Sequence, residues 1–208
     1  MSASKKPSNS EKRVLVLATG NPGKVKELND LLSGSGWLVR SLKEVAGEVE
    51  IEESGRTLEE NAAIKARFVW ELTGIPALAD DTGLEVDALD GRPGLYSARY
   101  AGPEADSASN RRKLITELQH ITDPAGRSAR FRTVLVYISG DDVRHFEGVC
   151  TGTILPAERG SGGFGYDPVF RPDGYRQTFA ELDPEVKNRI SHRGRALQEF
   201  LKDVIKNR

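Results

Sequence analysis

The chain has 208 residues, 38% hydrophobic and 29% charged, enough for one large domain with a real core and typical of a globular protein. Lys+Arg 30 against Asp+Glu 31 leaves a net charge of -1, with no basic excess to argue for nucleic acid and no acidic excess to argue for disorder. The single cysteine, Cys150, excludes an internal disulfide framework and a cysteine metal cluster; it reads as a small buried hydrophobe.

No apolar run approaches the roughly eighteen residues of a membrane span, so no membrane association is expected. Residues 1–12, MSASKKPSNSEK, are polar and lack the apolar stretch of a secretory signal. They read as a disordered tail, with residues 13–208 as a single domain and a cytoplasmic location by default.

In chain order, Arg13–Ala18 is a short β-branched apolar run and predicts a buried strand. Thr19-Gly20-Asn21-Pro22-Gly23 is a dense turn signal. Lys24–Leu32 places Val25, Leu28, Leu31 and Leu32 on one helical face. Thr57-Leu58-Glu59-Glu60 has capping-box spacing, and Ala62, Ala63, Ala66 and Leu72 extend a helix from about Leu58 to Leu72. Ile75–Ala79 predicts a strand ending at Asp80-Asp81, with Gly83 marking a turn. Ser107–Leu118 predicts a helix with Leu114, Ile115 and Leu118 inward. Arg130–Ile138 and His145–Thr151 predict an antiparallel hairpin turning at Asp141-Asp142. Gly160–Gly165 is a loop, and a helix near Arg193–Ile205 closes the chain. Early alternation of strand and helix followed by a hairpin indicates an α/β fold with a mixed sheet.

Five segments could carry chemistry. Asp80 and Asp81 are hard-oxygen ligands suited to Mg²⁺, or else an ordinary polar turn. Thr19–Lys24, a glycine-rich turn between strand and helix, suits an anion; it departs from a Walker A loop at Ala18 and Val25, and could be a plain βα turn. In Glu48–Glu53, alternation puts Glu48, Glu50 and Glu52 on one side, either as a solvated charge run or to complete a metal site. Glycines flanking Phe164 open its ring to a planar ligand beside the acceptor Asp167, unless this is a surface loop with one aromatic anchor. Lys187–Arg193 crowds cations before a helix that Ser191 can cap; the plainer reading is a cap followed by solvated charges. His120 and His145 lack such company and read as a helix-end and a strand-surface residue. Together the segments match a nucleoside triphosphate with Mg²⁺ better than any other small ligand.

TGNPGK at Thr19–Lys24, ENAAIKA at Glu60–Ala66, ADDTGLEVDAL at Ala79–Leu89, PGLYSARYAG at Pro93–Gly102, GGFGYDPVF at Gly162–Phe170 and SHRG at Ser191–Gly194 run in this order. This set resembles the inosine triphosphate pyrophosphatase family over nearly the whole chain from Arg13. The resemblance implies a homodimer with an elongated mixed sheet flanked by helices, and two lobes around a central substrate cleft. It implies Mg²⁺-dependent hydrolysis of noncanonical purine triphosphates (ITP, dITP, XTP) to the monophosphate and pyrophosphate, cleansing the nucleotide pool. Position by position, Thr19, Gly20, Asn21, Pro22, Gly23 and Lys24 would bind the triphosphate. Asp81 would be proton acceptor and metal ligand, and Thr82 would touch substrate. Phe164, Gly165, Tyr166, Asp167 and Lys187 would form the nucleotide pocket, and His192 and Arg193 would read the base. Aligning the Glu-Glu-Ser-Gly turn points to Glu52 as second metal ligand, with Glu53 or Glu50 as alternatives. The role of Asp80 stays open. Rival readings are a related-fold pyrimidine or modified-nucleotide pyrophosphatase, a nucleotide-binding sensor without catalysis, and a nucleic-acid module.

Overall fold

The computed structural model describes residues 13–19 and 22–205; the N-terminal dozen residues, Gly20 and Asn21 lie outside it. The chain opens with β1 (Arg13–Leu17), α1 (Pro22–Leu31), β2 (Trp37–Ser41), α2 (Leu42–Ala46) and α3 (Leu58–Thr73). There follow β3 (Ala77–Val86), β4 (Pro93–Gly94), α4 (Ser107–Glu117), β5 (Ser128–Ser139) and β6 (Asp142–Ile154). The last elements are β7 (Phe170–Pro172), α5 (Pro184–Ile190) and α6 (His192–Phe200), which runs into a π-turn over Leu201–Ile205.

One seven-stranded sheet carries the order β2-β1-β3-β5-β6-β7, with β4 added to β3. β1 is parallel to β2 and β3, and the other pairings are antiparallel, so the sheet is mixed as the strand–helix pattern predicts. The β5–β6 hairpin turns at Gly140-Asp141, where Gly140 takes the left-handed φ of 64° that a tight two-residue loop demands.

Strand alternation sorts the apolar residues into two layers. Leu15, Leu17, Leu78, Leu135 and Tyr137 pack beneath α1 and α6. Val16, Ala77, Ala79, Val134, Val136 and Ile138 pack beneath α3 through Ala62, Ala66 and Val69. A third cluster joins Leu84, Phe131 and Cys150 to Leu114 and Leu118 of α4 and to Tyr166, Phe170 and Phe179. Cys150 is buried, as its type suggests, and burial pushes its thiol up to about 11. His120 is exposed just past α4 and His145 is exposed on β6.

Several local expectations are corrected. Asp80-Asp81 does not end a strand: β5 pairs with all ten residues of β3, from Ala77↔Ile138 to Val86↔Ala129. Gly83 is therefore no turn; it sits where a Cβ would come 2.7 Å from the carbonyl oxygen of Gly94, so its missing side chain lets β4 approach. Finally, Thr57 does cap the amide of Glu60 (3.1 Å), but Glu60 reaches back to the amide of Arg56 (2.6 Å) and not to that of Thr57. The reciprocal capping box lies instead at Ser41 and Glu44, opening α2. Helix α1 starts two residues early, with Pro22 at its first position, where a missing N–H costs nothing.

Arg127 ties this scaffold together. It is 3% exposed and donates to the carbonyls of Ile154 (2.7 Å), Leu118 (2.7 Å), Ile121 (3.2 Å) and Leu155 (3.1 Å), with no carboxylate partner among the described residues. Arg127→Met strands buried carbonyls. It is expected to lower unfolding free energy by about 3 kcal/mol, since each unpaired buried acceptor costs about 1–3 kcal/mol. Urea denaturation measures this, and a loss below about 1 kcal/mol would contradict the role.

Candidate active site

The chain passes from β1 to β2 on one side and later to β3 on the other, so the carboxyl end of β1 is a topological switch point, where α/β sheets place ligands. β1 leaves β3 after Leu78, and β4 joins it only at Leu84. Among the described residues no strand pairs with that edge of β3 over positions 79–83. This gap leaves the strand carrying Asp80, Asp81 and Thr82 without a strand partner on that edge.

Alternation along β3 sends adjacent carboxylates to opposite faces. Asp80 faces α1 and α6. Lys24 Nζ donates to both its oxygens (2.8 and 2.7 Å), and Arg193 reaches Oδ2 through Nε (3.3 Å) and Nη2 (3.2 Å). Asp81 faces α3, where Lys65 Nζ lies 2.8 Å from Asp81 Oδ1 and 3.0 Å from Glu53 Oε1.

The two carboxyls are driven in opposite directions. Burial raises the pKa of Asp80, but the charges of Lys24 and Arg193 outweigh it and hold the group well below the carboxylate range. Burial also raises that of Asp81; Lys65 pulls against it, Glu53 and Asp80 add to the rise, and the net shift is upward. Asp81 is thus the more basic of the pair. Lys65 is held protonated: burial opposes its charge, but Asp81 and Glu53 more than restore it.

Two cavities meet here. One, of about 780 Å³, is lined by Thr19, Lys24, Glu50 and Glu53. The other, of about 700 Å³, is lined by Asp81, Thr82, Phe164, Lys187, His192 and Arg193. Lys24, Glu53, Lys65 and Asp80 line both. These volumes suit a ligand of nucleotide size.

The wall of the second cavity is the 162–167 loop. Phe164 is 57% exposed, and the core anchor is Tyr166, whose hydroxyl donates to Ser97 O at 2.8 Å. Asp167, buried, accepts from Phe164 N (2.7 Å) and Lys187 Nζ (2.6 Å). A Cβ on Gly163 would come 2.0 Å from Asp167 Oδ2. Lys187 Nζ and Arg193 Cζ stand 5.0 and 5.7 Å from the Phe164 ring centroid, within cation–π range.

Ser191 caps α6, accepting from Gly194 N at 3.1 Å. His192 is buried and stacks on Phe131 with centroids 4.6 Å apart and 17° between planes. Its Nδ1 has no hydrogen-bond partner among the described residues. Burial first, then the charges of Arg193 and Lys187, hold its pKa well below the ordinary value. The unfolded chain therefore binds the extra proton below about pH 6.5, and stability falls as pH falls through that value. The expected slope is up to about 1.4 kcal/mol per pH unit and is absent in His192→Gln. Urea titrations between about pH 5 and pH 7 read it, and equal slopes in both proteins would refute it.

Most of the expected residues thus converge. Thr19 and Lys24 border one cavity; Thr82, Phe164, Gly165, Tyr166, Asp167, Lys187, His192 and Arg193 border the other. Pro22 and Gly23 open α1, while Gly20 and Asn21 lie outside the described residues. Glu53 and not Glu52 borders the cavities and meets Lys65. No cluster of three or more His, Cys, Asp or Glu side chains suited to a metal occurs among the described residues. Sequence reasoning missed Lys65, although a signal was present. It shares the buried stripe of α3 with Asn61, Ala62, Ala66 and Val69, and a lysine on an apolar stripe needs a charged partner.

A family model described as the Ham1 family matches residues 15–203. The chain is 52% identical over 188 residues to a protein of Desulforamulus reducens named dITP/XTP pyrophosphatase, covering 90% of this chain and 93% of that one. The protein of the same name from Bacillus subtilis is 46% identical over 188 residues, covering 90% and 94%. Among solved structures, a HAM1 protein from Coxiella burnetii superposes with a TM-score of 0.87 at 40% identity, covering 93% of this chain and 99% of that one. A nucleoside-triphosphatase / dITP/XTP pyrophosphatase from Mycobacterium abscessus gives a TM-score of 0.74 at 40% identity, covering 90% and 98%.

Proposed function

The chain belongs to the Ham1 family, and from that premise we propose that it is a Mg²⁺-dependent pyrophosphatase that converts ITP, dITP and XTP to the monophosphate and pyrophosphate. It is a nucleoside triphosphate pyrophosphatase in class; the metal, the products and a cytoplasmic homodimer of single-domain subunits are parts of the proposal. The observation that carries it is the meeting of two unlike carboxylates at the junction of a lysine-lined cavity and an aromatic-walled one.

Asp81 and Glu53 would hold the metal: their oxygens already converge on one cationic atom, Lys65 Nζ, at 2.8 and 3.0 Å. Held there, Mg²⁺ would supply charge neutralisation at the phosphate oxygens. Asp81 accepts the proton of the attacking water, a role its raised pKa suits. Release of pyrophosphate implies attack at the α-phosphorus. Lys24 and the amides opening α1 stabilise the departing charge. Phe164 offers a face to the base, and Arg193 with neutral His192 reads its edge.

Selectivity follows from pairing. A 6-oxo group accepts from a buried donor such as Arg193, whereas the 6-amino group of adenine leaves that donor unpaired, a cost of about 1–3 kcal/mol. The test is pyrophosphate release from ITP, XTP, dTTP and UTP with and without Mg²⁺. Turnover of ITP and XTP only with Mg²⁺ is expected. Comparable turnover of dTTP and UTP would favour the pyrimidine reading, and tight binding without turnover a sensor.

A further inference from the structure

We infer that Asp80 is the specificity-positioning residue of this site: its buried carboxylate fixes the guanidinium of Arg193 for base recognition and ties it to the phosphate-side cation Lys24. The inference rests on the functional reading above and assigns the carboxylate whose role that reading leaves open.

The Asp80 side chain is 4% exposed. Four donor contacts fill it: two from Lys24 and two from Arg193, three of the four on Oδ2. A carboxylate so occupied by two cations has no need of a further ligand and is poorly placed to take a proton. Its work is geometric. Arg193 is a long side chain with many rotamers, yet Nε and Nη2 are both held on Asp80. The third nitrogen, Nη1, is thereby set in orientation, with Cζ kept 5.7 Å from the ring of Phe164.

A guanidinium fixed in this way rejects as well as accepts. A 6-oxo purine finds a donor already in place. A 6-amino purine meets donor against donor, and Arg193 cannot swing aside without breaking a buried ion pair. Rejection by a polar site is strong only when the site's own groups cannot find other partners. The same carboxylate holds Lys24, so the phosphate-side and base-side cations keep a fixed separation.

The test compares ITP with ATP in wild-type enzyme and in Asp80→Asn, which keeps shape but removes the charge. The ITP-to-ATP ratio of kcat/KM is expected to fall at least about tenfold, mainly through KM, while kcat on saturating ITP falls far less than in Asp81→Asn. Arg193→Lys keeps the charge but loses the two-nitrogen fork and should lower the ratio by a similar factor. The double variant should fall no further, because both changes break one device. An unchanged ratio in Asp80→Asn, or an additive double variant, overturns the inference. If Asp80→Asn does not fold, Arg193→Lys carries the test alone, and a wild-type ratio there overturns it. A wild-type enzyme that releases no pyrophosphate from ITP overturns the functional reading and the inference together; a selective wild type beside an equally selective Asp80→Asn overturns the inference alone.

Discussion

Asp81→Asn is expected to lower pyrophosphate release from ITP by about 10³-fold or more, with nucleotide binding retained. The substitution keeps size and hydrogen-bonding shape but removes the proton acceptor and one of two carboxylates able to share a cation with Glu53. Stability should move little. Asp81 has a raised pKa, so its stabilising contribution belongs to the protonated form at low pH and is lost as pH rises through the folded-state value. At neutral pH the fold bears an unfavourable buried charge, but Asp81 is also one of the two carboxylates that keep Lys65 protonated, so Asn relieves one cost while adding another and should melt near wild type. Rate and melting temperature together make the test decisive. Near-normal turnover with intact Mg²⁺ binding would remove Asp81 from its role, and a large loss of stability would mean that the rate loss is not catalytic in origin.

Gly148→Ala, in the middle of β6, should damage both stability and activity without touching any ligand. A Cβ there would lie 2.0 Å from the carbonyl oxygen of His192 and 2.6 Å from the amide of Ala196. Both are backbone atoms of α6, so no rotamer change relieves the clash. Overpacking of this kind costs about 1–3 kcal/mol and more where backbone must move. We expect about 3 kcal/mol, a fall of roughly 6–12 °C in melting temperature for a chain of this length. The helix that must shift carries His192 and Arg193 at its first turn. A displacement near 1 Å there should cost about 10²-fold in kcat/KM. Thermal melts and ITP kinetics on the same preparation test this. Wild-type values for both would show that α6 has room that the packing denies.

The two substitutions mark different kinds of legibility. Asp81 could be found from the chain because its companions are local strings: a glycine-rich turn, an aromatic between glycines, a serine before a helix. Each string is read within a few residues, and hydrogen bonds of short span fix it, as with Ser191 on Gly194 and Asp167 on Phe164. Strand and helix types were legible for the same reason, since periodicity is a local property. The short elements β2, α2, β4, β7 and α5 were missed, being too brief for a period to register and depending on their neighbours. The mid-strand position of Asp80-Asp81 was misread because Gly83 looks like punctuation, while its actual partner is Gly94 O on β4.

The sequence by itself determined the mixed α/β class, the segments that carry the chemistry and the kind of ligand they suit. These follow from side-chain type and spacing along the chain. Only the tertiary structure decided that the Asp80–Asp81 pair is split by the sheet, one carboxylate held ionised by Lys24 and Arg193 and the other raised by burial against the pull of Lys65. It also decided that Glu53 and not Glu52 meets that lysine, and that Gly148 sets the helix bearing Arg193. The physical reason is that charge–charge and steric terms depend on separations in space. Partners 56, 113 or 16 positions apart, as Lys24 and Arg193 are from Asp80 and Lys65 is from Asp81, leave no mark in local pattern.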